Sequence, residues 1–427
     1  MKPQSVRSRA VTSATPLAAV GTASAPAGHA RDALSRLTDL SREFDPELSF
    51  SIHSDFGAIE TEWRSFQEVA ECTPFQTFEW LSAWYRHVGA AAGIVPAIVV
   101  GRFATGKTAF ILPLAVQRRR WTKRLCWLGE ELCDYNAPLL AREFSQQVTR
   151  DCFVAFWDEL QQRMQADPQL HYDWIEFEKM PQTVGAQVNP FTYLPVAANA
   201  NSAHITQLGD DWETFYRAKR SSATRRRDRA KRKRMAEFGE IRFVTVTEPT
   251  QVRQTLDTLW EQKEQIFVRR GIADIFAQPG YRAFFDDFAS NPQTRHLVHI
   301  SREEIGTSCA AANFAVIFGD CYYHLLSSYC HDRLTRYGPG VLHLRDLMAY
   351  AIKAGLRRFD FTIGDEGYKL EWSDLRLQLY DHSSAATSRG WLPSGASVVR
   401  RRLKRFIKQT PLIWRLACRV RAVIGPF

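Results

Sequence analysis

No run of about 18 apolar residues occurs in the 427-residue chain, so the sequence offers no candidate membrane-spanning helix. The apolar stretch from Pro16 to Ala27 is broken by Gly, Pro and Thr, which argues against a signal peptide. None of the eight cysteines forms a C-x-x-C pair, their spacing fits no zinc template, and no metal is expected. Most sit among aromatic or apolar neighbours, as buried reduced thiols do, and a reducing cytoplasm is the natural compartment. The absence of a G-x-S-x-G elbow removes the serine-hydrolase signature.

What is present is unevenly distributed. The hydrophobic share of 45% excludes wholesale disorder. At about 100–200 residues per domain, the length suggests two or three domains. Residues 217–234 hold eleven Lys/Arg and one acid, Asp228, a net +10. Residues 400–421 hold nine Lys/Arg and no acid, a net +9. Removing both from the chain's total of +10 leaves −9 on the rest, so an acidic body carries two basic segments.

Residues 1–43, rich in Ser, Ala, Thr and Arg, read as a disordered tail, and a transit peptide has a similar composition. From Leu48 the chain runs strand, helices at 57–71 and Phe78–His87, strands Pro96–Val100 and Ala109–Val116, a helix at 143–166 and a strand at Trp174–Phe177. The order then repeats. A strand at His204–Leu208 precedes one long helix at about 211–238, strand Ile241–Val246 and a helix at 250–269. Strands His296–Ile300, Gly306–Phe318 and Cys321–Tyr329 follow, then a helix at Gly340–Gly355 and strands Arg358–Thr362 and Leu375–Tyr380. Two similar α/β halves are the simplest architecture.

Gly101–Thr108 satisfies the P-loop formula G-x-x-x-x-G-K-[ST]. The β-rich run that follows, with Pro113 beyond the first helical turn, predicts a hairpin turn instead. Two other loops carry more chemistry. Arg336-Tyr337-Gly338-Pro339-Gly340 follows a strand and opens a helix, where glycines and the helix N-terminus suit a pyrophosphate; a plain turn has the same composition. Phe359–Trp372 is an apolar strand ending in a loop with two carboxylates, a phenol and an ammonium, and a charged surface loop would look alike.

Taken in order, Tyr329-x-x-Asp332, Tyr337–Gly340 and Phe359-Asp360-Phe361-x-x-Gly364-Asp365-Glu366-x-Tyr368-Lys369-x-x-Trp372 resemble the GNAT-superfamily acyltransferases of the cellulose-biosynthesis (CelD-like) type, relatives of the Fem-type aminoacyltransferases. Phe75–Leu81, Leu112-Pro113-Leu114 and Asp134–Leu139 match that family's first half. The resemblance implies two tandem GNAT-like domains of class α/β (α+β), with mixed, mostly antiparallel sheets flanked by helices. It places them at 44–200 and 201–390, before a basic amphipathic segment at 391–427. It implies an acyl-CoA co-substrate, commonly acetyl-CoA, bound in the second domain.

On that footing Arg336, Tyr337, Gly338 and Gly340 are the expected CoA contacts, with Thr335 in the leading slot of the family's [RQ]-x-x-G-x-[GA] loop. Asp365 or Glu366 is the expected base and Tyr368 the acid for the leaving thiolate. Lys369, Asp360 and Trp372 are candidate substrate contacts, Asp360 being equally suited to a structural role, and His324 and His331 are reserve bases. The expected reaction is direct N- or O-acetyl transfer in a ternary complex to a sugar or polysaccharide precursor. Its rivals are a Fem-like transfer from aminoacyl-tRNA and a catalytically inactive scaffold of a membrane glycan synthase.

The basic helix near 211–238 fits a solvated face or an anionic partner, and no DNA-binding motif or aromatic ladder accompanies it, so nucleic acid is not expected. Residues 398–424 mix cations with Trp and aliphatics. They read as an interfacial helix on anionic lipid or as a helix packed on the body, consistent with a cytoplasmic enzyme peripheral to the inner face of the membrane.

Overall fold

The computed structural model describes residues 48–144, 148–410 and 413. The tail expected over 1–43 and the later part of the basic C-terminal stretch lie outside them.

The first half opens with strand Ser49–His53 (β1) and helices Glu60–Gln67 (α1) and Phe78–Trp84 (α2). Strands Ile94–Arg102 (β2), Thr108–Arg119 (β3) and Thr122–Trp127 (β4) form an antiparallel ribbon, with the short Leu139–Leu140 (β5) beside β3. Helix Arg150–Ala166 (α3) leads back to Trp174–Pro181 (β6), parallel to β4. Gly101–Thr108 is the β2–β3 hairpin, closed by the Phe103 N–H on the Lys107 carbonyl at 2.9 Å, as its apolar sequel predicts.

Strand Val196–Gln207 (β7) joins the halves, and the boundary expected at 200 falls within it. Helices Trp212–Lys219 (α4), Ser222–Ala236 (α5) and Pro249–Arg270 (α6) follow, with strand Ile241–Val246 (β8) before α6 and helix Tyr281–Ser290 (α7) after it. Val298–Ile305 (β9), Ser308–Phe318 (β10) and Cys321–Tyr329 (β11) form a second antiparallel ribbon. Helix Pro339–Lys353 (α8) crosses to Arg358–Ile363 (β12), parallel to β11. Helix Gly367–Trp372 (α9), strand Leu375–Ala385 (β13) and helix Trp391–Gln409 (α10) complete the described chain.

All these strands lie in one mixed sheet, ordered β1-β2-β3-β4-β6-β13-β7-β12-β11-β10-β9-β8, with β5 on β3. The order reads alike from both ends: four antiparallel strands, a parallel step, then an antiparallel one. The halves exchange their last strands. β7, which ends the first, pairs with β12 of the second, and β13, which ends the second, pairs with β6 of the first. This bears out the tandem α/β architecture and fastens the two halves at the centre.

The single helix expected over 211–238 is corrected to two. Arg220 is extended (φ −128°, ψ 127°), and the Ser221 hydroxyl accepts from the Thr224 N–H at 3.2 Å, so Ser221 caps a new helix. The segments remain joined by the Tyr216 hydroxyl, which donates to the buried Asp228 carboxylate at 2.6 Å.

Candidate functional site

Parallel pairing between β11 and β12 is confined to Cys321–Tyr323 against Arg358–Asp360. Beyond it the strands separate, β11 running on through His324 to Tyr329. Two cavities lie in this fork. One of about 460 Å³ is bounded by Ser328, Thr335, Gly338, Gly340 and the start of α8. The other, of about 470 Å³, is bounded by α6 and by residues of the first half, among them Phe75, Trp80, Leu132 and Asp134. They share one wall: Arg270, His324, Ser327, Tyr329, Glu366 and Tyr368.

The first cavity suits an acyl-CoA arm. Gly338 sits at φ +77°, a left-handed conformation that favours glycine, and it starts α8 without a side-chain cap. A Cβ on Gly340 would lie 3.1 Å from the Tyr329 ring, a contact tight enough that the ring would have to shift by a few tenths of an ångström. Pro339 has no N–H and the Val341 and Leu342 N–H groups donate to the Gly338 carbonyl, which leaves the Gly340 N–H and the positive dipole end for an anionic phosphate.

The common wall, with Lys369 beside it in the second cavity, carries the reactive groups. Lys369 is buried, donates Nζ–H to the Ile363 carbonyl at 2.7 Å and lies 3.2 Å from the Glu366 carboxylate. The Tyr368 phenol is pushed above its ordinary pKa by burial and by the Glu366 charge, so it holds its proton. His324 is buried and its Nε2 has no hydrogen-bond partner among the described residues. Burial, with Lys369 and Lys263 nearby, lowers its pKa to about 3 and keeps the imidazole neutral.

Thr362 supports this wall from beneath. It is β-branched yet adopts φ +58°, at a bulge between Asp360 and Ile363, and its N–H donates to Asp360 Oδ1 at 2.7 Å. Strain of this kind persists only where the surroundings impose it, and it gathers at functional sites.

The sequence candidates divide. Gly338, Gly340, Glu366, Tyr368 and Lys369 come together at the fork, and Thr335 joins them. Arg336 and Tyr337 line neither cavity. The Arg336 guanidinium stacks on the Tyr337 ring at 4.8 Å, and that ring packs on Phe238. Asp365 also lines neither. It lies 3.1 Å from His204 Nε2 and 3.5 Å from Arg376, and although burial works to raise its pKa, these partners leave it lowered.

Two substrate candidates are structural. Trp372 is buried among Trp212, Phe215 and Tyr216 beneath the Arg220 guanidinium, so it is core and not a ligand contact. Asp360 is buried and accepts the Tyr135 hydroxyl at 2.8 Å, tying the second half to the first. Of the reserve bases, His331 packs at a tilt against Tyr329 and lines neither cavity. Burial pushes the Cys309 thiol up to about 11 and Cys72 to about 12, which disfavours their thiolates.

Asp134, Lys263 and Arg270 were not singled out from the sequence. Asp134 lies in a stretch that carried the family resemblance but no assigned role. Gln76, from another such stretch, holds that loop by donating its amide N–H to the Tyr135 carbonyl at 2.7 Å. Lys263 sits in an ordinary charged helical pattern. Burial, against the attraction of Asp274, lowers its pKa to about 8, and neither Lys263 nor Arg270 has a carboxylate within ion-pair distance among the described residues.

The acetyltransferase (GNAT) domain family matches residues 222–370, from α5 through the Glu366–Lys369 wall. This stretch is an acetyltransferase (GNAT) domain, and the chain is an acyltransferase. No curated protein matches the sequence.

Among solved structures, FemX is 10% identical at a TM-score of 0.54, covering 78% of this chain and 96% of that one. A protein of unknown function from Bacteroides thetaiotaomicron VPI-5482 is 9% identical at 0.47, covering 78% and 99%. L-PGS from Bacillus licheniformis is 13% identical at 0.43, covering 78% and 97%. The FemX likeness, the one of these three above 0.5, speaks to the fold alone.

Proposed function

We propose that the chain transfers an acyl group, in the simplest case acetyl, from acyl-CoA directly to an amine or hydroxyl of a sugar or polysaccharide precursor of the CelD-like substrate class. The observation that carries this reading is the pair of adjoining cavities with Glu366, Tyr368 and His324 in their common wall. Acyl-CoA occupies the cavity at α8, with its pyrophosphate at Gly338–Gly340 and Thr335. The acceptor occupies the cavity closed by the first half, where Lys263, Arg270 and Lys369 favour a carboxylate- or phosphate-bearing molecule.

In the reaction the acceptor nitrogen or oxygen bonds to the thioester carbon, and its proton passes to the Glu366 carboxylate, directly or through a water. The carbon–sulfur bond breaks, and the departing thiolate takes the Tyr368 phenolic proton. No covalent enzyme intermediate is needed, because both substrates meet in one fork. Neutral His324 serves as a hydrogen-bonding group to the substrates.

A second reading, transfer from aminoacyl-tRNA, draws on α5, where exposed Arg226, Arg229, Lys231 and Lys233 have no carboxylate partner among the described residues. Thermal shift and thiol release with acetyl-CoA, longer acyl-CoAs and CoA test the choice. The first reading expects stabilisation by acetyl-CoA and thiol release only when an amino sugar or sugar phosphate is added. No shift with any of the three would exclude it. Tight RNA binding with a steep salt slope, and aminoacyl transfer, would install the second.

A further inference from the structure

Helix α10 is mounted with its apolar side outward. A helix on a globular body ordinarily packs its apolar stripe inward and leaves its polar residues to solvent. Here Ser394, Ser397, Arg401 and Arg405 recur at helical spacing on the side that meets β6, β13 and β7. Ser397 hydrogen-bonds Glu176, Ser394 lies 3.1 Å from the Ser383 hydroxyl, Arg401 lies 3.6 Å from the Glu176 carboxylate, and Arg405 reaches the Ala198 carbonyl. On the opposite side, Leu392, Val399, Leu403 and Phe406 form a single stripe and are 73%, 65%, 56% and 58% exposed. Such a continuous apolar face calls for a cover.

We infer that α10 docks the protein on an anionic lipid surface. The charge pattern selects this occupant. Exposed Arg400 and Arg402 flank the stripe on its two sides, and the sequence beyond the helix adds Arg415, Arg419 and Arg421 with no acid to residue 427. An apolar stripe bordered by cations matches the acyl-chain and headgroup layers of a negatively charged leaflet. Arg400 already lies 3.4 Å from the Glu178 carboxylate, but a protein or second-copy partner would need acids to meet Arg402 and the cations that follow the helix in sequence. The polar side of α10 is already fixed to the sheet through Glu176, so the stripe is presented in a rigid orientation.

The test uses the full chain in flotation assays with phosphatidylcholine vesicles, with and without phosphatidylglycerol. The proposal expects association with the anionic vesicles, weakened by salt, and little with phosphatidylcholine alone. Leu403→Asp with Phe406→Asp should lower association by about ten-fold or more, and Arg402→Gln by a smaller factor. These side chains are exposed, so the melting temperature of each variant should stay at the wild-type value. Failure of the wild type to bind either vesicle, or equal binding to both, would overturn the proposal. So would a concentration-dependent dimer that Phe406→Asp dissociates, which would assign the stripe to a second copy.

Discussion

At the mouth of the β4–β6 fork, Lys179 Nζ donates to the carbonyls of Glu130, Glu131 and Cys133, and Asn136 donates its side-chain amide to the Glu178 carbonyl. At the mouth of the β11–β12 fork, the free edge of β11 faces two cavities. Both forks open after a short parallel pairing, and both second strands bulge with a residue at φ +58°, Lys179 in one and Thr362 in the other. The helix after each fork differs in the same sense. The Thr149 side chain caps α3 by accepting from the Cys152 N–H, whereas Gly338 leaves α8 without a side-chain cap.

The two forks are therefore lined differently: the β4–β6 fork keeps a cavity of about 500 Å³ bounded by Arg124, Glu176, Glu178 and α10, with the 130–137 loop tied across its mouth. The same loop also serves the β11–β12 fork. From 130–137 it supplies Glu131, Leu132 and Asp134 to the acceptor cavity and Tyr135 to Asp360. A loop held by one copy of a fold can thus contribute to a site in the other.

The largest expected effect is at the shared wall. Glu366→Gln should lower kcat by about 100-fold while leaving acetyl-CoA affinity near wild type. Glu178→Gln, in the β4–β6 fork, should leave kcat within about two-fold. Steady-state kinetics on both variants checks this, and equal losses would erase the distinction between the forks. Next, Lys179→Met removes the ammonium that satisfies three loop carbonyls and should lower stability by about 1–3 kcal/mol in urea unfolding, with a raised acceptor KM as the loop loosens. Lys263→Met should raise acceptor KM by about ten-fold with kcat retained, which initial-rate measurements would show.

The fork carboxylates should respond oppositely to pH. Burial raises Asp360 to about 7, with its hydrogen bonds from Tyr135 and Thr362 opposing. The folded chain then keeps a proton that the unfolded chain releases from about pH 4, so stability falls as pH rises through that window. Asp360→Asn should flatten this limb. Burial also works to raise Glu176, but Arg124, Ser397 and Arg401 outweigh it and leave the pKa lowered. Its contribution is present above the ordinary glutamate value and lost as pH falls, and Glu176→Gln should flatten that acid limb. Thermal melts across pH read both.

The sequence exposes this organisation unevenly. The ribbons, the β2–β3 hairpin and the start of α8 follow from apolar periodicity and from Gly and Pro, signals that act over a few residues. The strand exchange has no such signal, because β13 meets β6 roughly 200 residues away in sequence and either strand would alternate the same way with a different neighbour. Asp365 and Glu366 are adjacent carboxylates that sequence alone does not separate, yet one meets His204 and the other the cavities. Trp372 ends a motif of reactive residues, yet its partners are the aromatics of α4, which no spacing within the motif reveals. Ser221 did carry a legible cap signal, and the cationic run around it obscured the break.

Calorimetric titration of the full chain with acetyl-CoA tests the central claim most directly, using Gly340→Ala and Thr149→Ala side by side. One site per chain is expected, weakened about ten-fold by a methyl group set against Tyr329 and unchanged by Thr149→Ala, which should cost only about 1 kcal/mol of stability. Two sites per chain, or affinity lost with Thr149→Ala and kept with Gly340→Ala, would contradict a single acyl-CoA site in the β11–β12 fork.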